Sequence, residues 1–278
     1  MSDLNRLTVG RISKSWSKRK VKFVDFILNN FLPFLKIGST NRLIDKIGHN
    51  KNIDFAVEAC KELKIYTEFT GQENLPKTGP ATVVTNHPGG ADILSMAIAL
   101  GKVRTDIIIL ANELVCLPLI EDITIPIRMI GKRKVDEALI HKAYQEGKVV
   151  VFFAGGKNSR YNKEGELRDR RWRTTFLDFA QEYDTTINIM RIIGKNSPLF
   201  YKISDIRAKY SFLKNIPLEN MFQLRELTRP TTMKLFLSKS FHYTNARGTK
   251  QERRKKADIL YNFLYEMDEN NLEFNQPL

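Results

Sequence analysis

Ala81-Thr82-Val83-Val84-Thr85-Asn86-His87-Pro88-Gly89-Gly90-Ala91-Asp92 leads directly into the apolar run Ile93-Leu94-Ser95-Met96-Ala97-Ile98-Ala99-Leu100. Its first five residues predict a short buried strand and the closing run predicts a mostly buried helix, so the polar residues fall at the turn between them. Pro88 stiffens that turn, and Gly89 and Gly90 let the backbone double back. Asp92, just inside the helix, is thereby placed to accept a hydrogen bond from the Nδ1–H of His87. Nε2 is left as an acceptor, and an imidazole in that tautomer removes a proton from an alcohol or amine attacking an activated acyl group. The plainer reading is an Asp at a helix N-terminus beside a surface His. The spacing alone does not separate the two.

Working outward, helical patterns occupy 42–47 and 53–64, the second with Phe55, Ala56, Ala59, Cys60 and Leu63 on one face. After the turn-rich passage 71–80 and the stretch quoted above, strands are expected at 105–111, 123–128, Val149–Phe153, Thr186–Ile193 and 233–238. Helices are expected at 135–145, 173–183 and 250–267. Ile107-Ile108-Ile109-Leu110 is apolar on both faces, as in a parallel sheet. The alternation predicts an α/β fold, a mainly parallel mixed sheet flanked by helices and preceded by an N-terminal amphipathic helical segment. The chain divides on this reading into a basic amphipathic membrane-association segment (1–50), an α/β domain (51–245) and a C-terminal basic helix (246–278).

At 278 residues and 42% hydrophobic content the chain can bury one sizeable core, and no Pro/Gly/Ser-rich linker divides it. Cys60 and Cys116 have neither metal-ligand nor redox spacing and read as core thiols in a reducing compartment. Residues 1–20 are polar and basic, unlike a signal peptide, and no apolar run is long enough to span a bilayer. The formal charge of +14, from 45 Lys and Arg against 31 Asp and Glu, implies a polyanionic partner or surface. Nucleic acid is not the expected one: the basic residues are not gathered on one recognition helix, and zinc-finger and RNA-binding signatures are missing. An anionic membrane surface fits better. Lys14, Lys18, Arg19 and Lys20 with Trp16 precede a segment whose helical projection puts Lys22, Asp25 and Asn29 on a narrow polar stripe. Phe23, Phe26, Ile27, Phe31 and Leu32 cover the remaining wide face, which suits a helix lying in the headgroup region. The same face could instead pack on the core, and the two readings are compatible.

The strand Val149–Phe153 runs into Ala154-Gly155-Gly156-Lys157-Asn158-Ser159-Arg160, where glycines permit close backbone approach and the polar side chains supply donors for oxyanions. A solvated loop is the alternative for Lys157 and Arg160. A nucleotide P-loop is excluded, because its first Gly falls on Val151 and neither Ser nor Thr follows Lys157. His49, His141 and His242 are isolated, so no metal site is expected. With no Gly-x-Ser-x-Gly elbow in the chain, a serine esterase is not expected.

Together these blocks resemble the lysophospholipid acyltransferase superfamily, whose members pair a His-four-residues-Asp motif with a later Phe-Pro-Glu-Gly-type loop. The resemblance is greater to a bacterial branch of haemolysin-like proteins and lyso-ornithine-lipid acyltransferases. That branch carries Asn-His-Pro-Phe-Gly-Gly-x-Asp and Phe-Pro-Ala-Gly-Glu blocks. Ala111-Asn112-Glu113-Leu114, Pro126-Ile127 and Gly194-Lys195-Asn196-Ser197-Pro198-Leu199-Phe200-Tyr201 also look similar, so the likeness spans roughly residues 53–238. Two departures stand out: Phe153 and Gly156 replace the loop's Pro and acidic residue, and the catalytic block lacks the aromatic after Pro88.

The resemblance implies a glycerol-3-phosphate acyltransferase-like fold, with His87 and Asp92 as the catalytic pair. It implies substrate or phosphate contacts from Asn86, Gly89, Gly90, Arg128, Gly155, Gly156, Lys157, Asn158, Ser159 and Arg160, with Lys132 as a possible helper. It further implies acyl carrier protein (acyl-ACP) or acyl-CoA as co-substrate, no separate cofactor, and a lysolipid acceptor in membrane lipid synthesis. The expected location is peripheral, on the cytoplasmic face of a bacterial inner membrane. The altered loop keeps an alternative open, a catalytically decayed scaffold serving as a basic membrane- or nucleic-acid-binding protein.

Overall fold

The structure, a computed structural model, describes residues 37–113, 115–128, 134–210, 218–243 and 248–276. The expected amphipathic face at 21–36, Leu114 and Lys132 lie outside the described residues. The strands are β1 (Ile65–Thr70), β2 (Ala81–Thr85), β3 (Ile107–Asn112), β4 (Thr124–Arg128), β5 (Lys134–Val135), β6 (Val149–Phe153), β7 (Arg160–Tyr161), β8 (Leu167–Arg168), β9 (Thr186–Ile193), β10 (Thr231–Leu237) and β11 (Phe241–His242). The helices are α1 (Ile37–Ile47), α2 (Asn52–Leu63), α3 (Asp92–Gly101), α4 (Glu137–Gln145), α5 (Thr175–Glu182), α6 (Pro198–Lys209), α7 (Leu218–Leu227) and α8 (Lys250–Glu266).

Among the described residues one large sheet runs β1-β10-β9-β2-β6-β3-β4-β5, with β11 added beside β9, while β7 and β8 form a separate hairpin. Five pairings are parallel, and β10 with β9, β4 with β5 and β11 with β9 are antiparallel. The α/β architecture with a mainly parallel mixed sheet is therefore as the alternation of patterns predicts.

β2 sits in the middle, parallel to β6 on one side and β9 on the other, and all five of its residues are buried. Successive side chains go to opposite faces, both of them covered, which is why its residues are buried throughout and not in alternation. Val83 packs with Val151 and Ile109 on the face covered by α1, α2 and α3. Val84 packs with Phe152, Val150 and Leu110 on the other face, beneath α4, α5 and α8. Of its two polar residues, Thr82 shares hydrogen bonds of 2.8 Å with the hydroxyls of Tyr144 and Thr185, and the Thr85 hydroxyl donates to the carbonyl of Asn86 at 3.1 Å.

The helices start and stop where local chemistry directs. Phe55, Ala56, Ala59 and Cys60 form the buried stripe of α2, which ends at Lys64 in the left-handed conformation. Ser197 caps α6, and Thr249 with Glu252 forms a capping box at the start of α8. α8 then buries Ala257, Leu260, Phe263 and Leu264 in the second layer, just as α1 places Ile44 and Ile47 in the first. Cys60 is buried, which raises its thiol to about 12 and leaves it unreactive, whereas Cys116 is only half-buried.

Parallel register brings the two sequence motifs together. Thr85 pairs with Phe153 at the last rung of β2 and β6, so the His87 turn and the 154–160 loop leave the sheet side by side. Such strand ends are where α/β sheets place their ligands.

Candidate active site

Gly89 and Gly90 turn the chain through positive φ values of 103° and 67°. At Gly89 a Cβ would also lie only 2.2 Å from the side-chain nitrogen of Asn196, so both the turn and the neighbour demand glycine. The reversal carries Asp92 back to His87, whose Nδ1 lies 2.6 Å from Asp92 Oδ2. That oxygen also accepts from the N–H of Gly89 at 3.0 Å, and Oδ1 accepts from the N–H of Ile93 at 2.8 Å. The Asp92 side chain is 1% exposed and the imidazole 20%. A fully bonded carboxylate at a helix N-terminus thus fixes the His87 tautomer and leaves Nε2 as a hydrogen-bond acceptor. The expected pair is formed.

Several expected contacts have other partners. Asn86 is 4% exposed; its Nδ2 donates to the carbonyl of Ile192 and its Oδ1 accepts from the same residue's N–H. It locks the end of β2 to β9, in place of the expected substrate contact. The Gly89 N–H, a candidate oxyanion donor, is taken by Asp92. Ser159 is 1% exposed and gives its hydroxyl to Asp169 at 2.5 Å. Gly155 lies where a Cβ would meet Asp169 Oδ2 at 2.6 Å. Arg160 spends Nη1 on the carbonyls of Asn158 and Ser159 and Nη2 on Glu219, and its guanidinium lies over the Phe200 ring. Gly155, Ser159 and Arg160 therefore shape the loop. Asn158 retains a buried Nδ2 with no partner among the described residues, Lys157 is exposed, and Gly156 turns the loop at a φ of 65°. Arg128 ends β4, but its side chain lies outside the described part of the structure.

Sequence reasoning missed Asp169, which follows β8 and is 6% exposed. Its Oδ1 accepts from the backbone N–H of His87 at 3.1 Å and from Ser159; its Oδ2 accepts from the indole N–H of Trp172 at 3.2 Å. The available signal was the run Arg168-Asp169-Arg170-Arg171-Trp172-Arg173, a lone acid among arginines. Asn196 was noted only as part of a similar passage, and the structure sets its amide against the Gly89 turn.

The electrostatics follow. Burial alone disfavours the imidazolium of His87, but the charge and hydrogen bond of Asp92, together with the charge of Asp169, outweigh it and raise the pKa above the ordinary value; Arg160 opposes them. Burial raises the carboxyl of Asp169 despite its hydrogen bonds. Phe153, standing where the resembling family has Pro, packs its ring 4.4 Å from the imidazole centroid. Beside Phe153 and Gly156 opens a cavity of about 1030 Å³ whose walls include Leu110, Ile127, Leu139, Phe152 and Phe176. No cluster of three metal-ligating side chains occurs among the described residues.

A mainly parallel sheet carrying an Asp-oriented imidazole at its strand ends, with no nucleophilic side chain hydrogen-bonded to that imidazole among the described residues, suits direct acyl transfer. Residues 66–192, which include both motifs, match the family model described as Acyltransferase. The protein is an acyltransferase. The Lyso-glycine lipid O-acyltransferase of Phocaeicola vulgatus is 28% identical over 218 residues, covering 76% of this chain and 77% of that relative. The Lyso-glycine lipid O-acyltransferase of Bacteroides thetaiotaomicron is 26% identical over 236 residues, covering 81% and 86%. A solved structure, the 1-acyl-sn-glycerophosphate (LPA) acyltransferase PlsC from Thermotoga maritima, aligns with a TM-score of 0.46 at 14% identity, over 89% of this chain and 98% of that one. Over that span the chain is similar to lysolipid acyltransferases, in keeping with the resemblance carried by its two motifs.

Proposed function

We propose that the protein moves a fatty acyl group from a thioester carrier, acyl-ACP or acyl-CoA, to the hydroxyl of a lysolipid, specifically a lyso-aminolipid of the glycine-lipid kind. The 2.6 Å bond between His87 and Asp92 carries the chemistry, and the names of the two bacterial relatives support the acceptor class. His87 Nε2 takes the acceptor's hydroxyl proton as the oxygen attacks the thioester carbonyl. The C–O bond forms, the C–S bond breaks, and the thiolate leaves with the proton returned by the imidazolium. The transfer is direct, with no acyl-enzyme, since no nucleophilic side chain among the described residues is hydrogen-bonded to His87. The N–H of Gly90 and the first turn of α3 would stabilise the oxyanion. The cavity beside Phe153 suits the acyl chain, and Lys157 and Asn158 suit the polar head.

The proposed workplace is the cytoplasmic face of a bacterial inner membrane, held through the basic N-terminal segment. No helix among the described residues is long and apolar enough to cross a membrane, which is compatible with surface attachment. The chemistry requires no cofactor beyond the thioester.

The test incubates the purified protein and His87→Ala with mixed lysolipids and labelled acyl-ACP or acyl-CoA, reading products by mass spectrometry. Diacylated product is expected only with intact His87. Transfer by His87→Ala at the parent rate would overturn the mechanism, and the lack of any product with every donor and acceptor would overturn the reading.

A further inference from the structure

Asp169 is a buried carboxyl that the transfer chemistry does not use, yet it touches both halves of the site. The backbone N–H of His87 and the indole N–H of Trp172 can only donate, so each Asp169 oxygen must serve as an acceptor. The Ser159 hydroxyl adds a third bond. The loop is drawn in as well: Gly155 has room for Asp169 only because it lacks a side chain, and the N–H of Ser159 returns a 2.7 Å bond to the carbonyl of His87. Behind Asp169 stands α8. The Asp169 N–H donates to the hydroxyl of Tyr265 at 2.6 Å, and the Tyr261 hydroxyl donates to the Asp169 carbonyl at 3.0 Å. Asp92 therefore orients the ring of His87, while a second carboxylate holds the backbone from which that ring hangs.

The geometry points to Asp169 as a positioning residue that sets the His87 backbone and the 154–160 loop in one register and is itself braced by α8. It acts through His87, and so rests on the reading of His87 as the base. Its loss acts on turnover more than on binding, since an imidazole displaced by about 1 Å forfeits on the order of a hundredfold in rate.

Asp169→Asn is the decisive variant. The amide keeps one oxygen for His87 N–H and Ser159 but turns a donor toward Trp172 or gives up the other bonds, and it removes the charge. Three measurements are made: kcat, the KM for the thioester, and the NMR titration of the His87 imidazole. The titration needs no acyl-transfer assay, so it reports on the coupling of Asp169 to His87 even if the proposed reaction is refuted. The charged groups facing His87 are Asp92 from α3, Asp169 from the segment before α5, and Arg160 from the start of β7. Removing the Asp169 charge should move the titration to lower pH. The expected result is a kcat lowered about a hundredfold, a KM within about twofold of the parent, and that downward titration shift. An unmoved titration or a parental kcat would overturn the proposal. Should Asp169→Asn not fold, Ser159→Ala removes one donor: a kcat about tenfold lower with KM kept supports the proposal, and parental kcat overturns it.

Discussion

At the scale of single residues, His87 as the proposed base must be neutral to act, while its two carboxylate neighbours favour its charge. With the folded pKa raised, the imidazolium persists to higher pH than in a free side chain. Turnover should therefore rise with pH along a limb whose midpoint lies above the ordinary imidazole value of 6.5; a kcat/KM profile with its midpoint at or below that value would contradict the assignment. Stability runs the other way. The raised pKa contributes folding stability that is fully present below the unfolded value and is lost as pH climbs through the folded one. The pH range that activates the base is thus the range in which the His87–Asp92 pair contributes least to the fold. His87, Asp92 and the two glycines were legible because they are contiguous and their chemistry is short-range. Asp169 was not, because its role arises only when β6, the β7–β8 hairpin and α8 meet, which leaves no spacing in the chain. The reading of Asn86 as a substrate contact differs from the structure for a related reason: an amide next to a candidate base looks like a ligand until Ile192, far along the chain, bonds both its ends.

Among the elements, strands buried on both faces were read with their observed bounds, β2, β6 and β9 above all, since a short apolar run between turns permits little else. β1 was passed over. It lies at the sheet edge with Tyr66 64% exposed, and only Ile65 is fully buried. α6 was passed over as well, because it buries just Phe200, Tyr201 and Ser204 and so shows no continuous apolar stripe. Between elements, Arg104 acts as a clamp. It is 6% exposed, pairs with Asp106, and donates to the carbonyls of Pro76, Gly79 and Gly147, joining three chain segments below the sheet. Arg104→Met would leave those carbonyls without their partner at a cost of about 3 kcal/mol. A urea midpoint lowered to match, with an unchanged m-value, is the expected outcome; an unchanged midpoint would refute the clamp.

For the whole molecule, the last helix is part of the core. Leu260, Phe263, Leu264 and Met267 are each 4% exposed or less, and burying such side chains is worth roughly 2 kcal/mol apiece, comparable in sum with the net stability of a typical domain. Truncation after Tyr243 should abolish the cooperative thermal transition seen by circular dichroism, while a sharp transition in the shortened chain would show that the sheet stands without α8.

Tyr261 and Tyr265 give this helix a further meaning in the order of synthesis. A ribosome delivers the turn bearing His87 early and the tyrosines that fasten Asp169 late, with a delay of roughly ten to thirty-five seconds at ordinary elongation speeds. Throughout that interval the nascent chain has its base but not the brace behind it. On the proposed role of Asp169, the site comes to its full rate only after that helix has closed over the sheet.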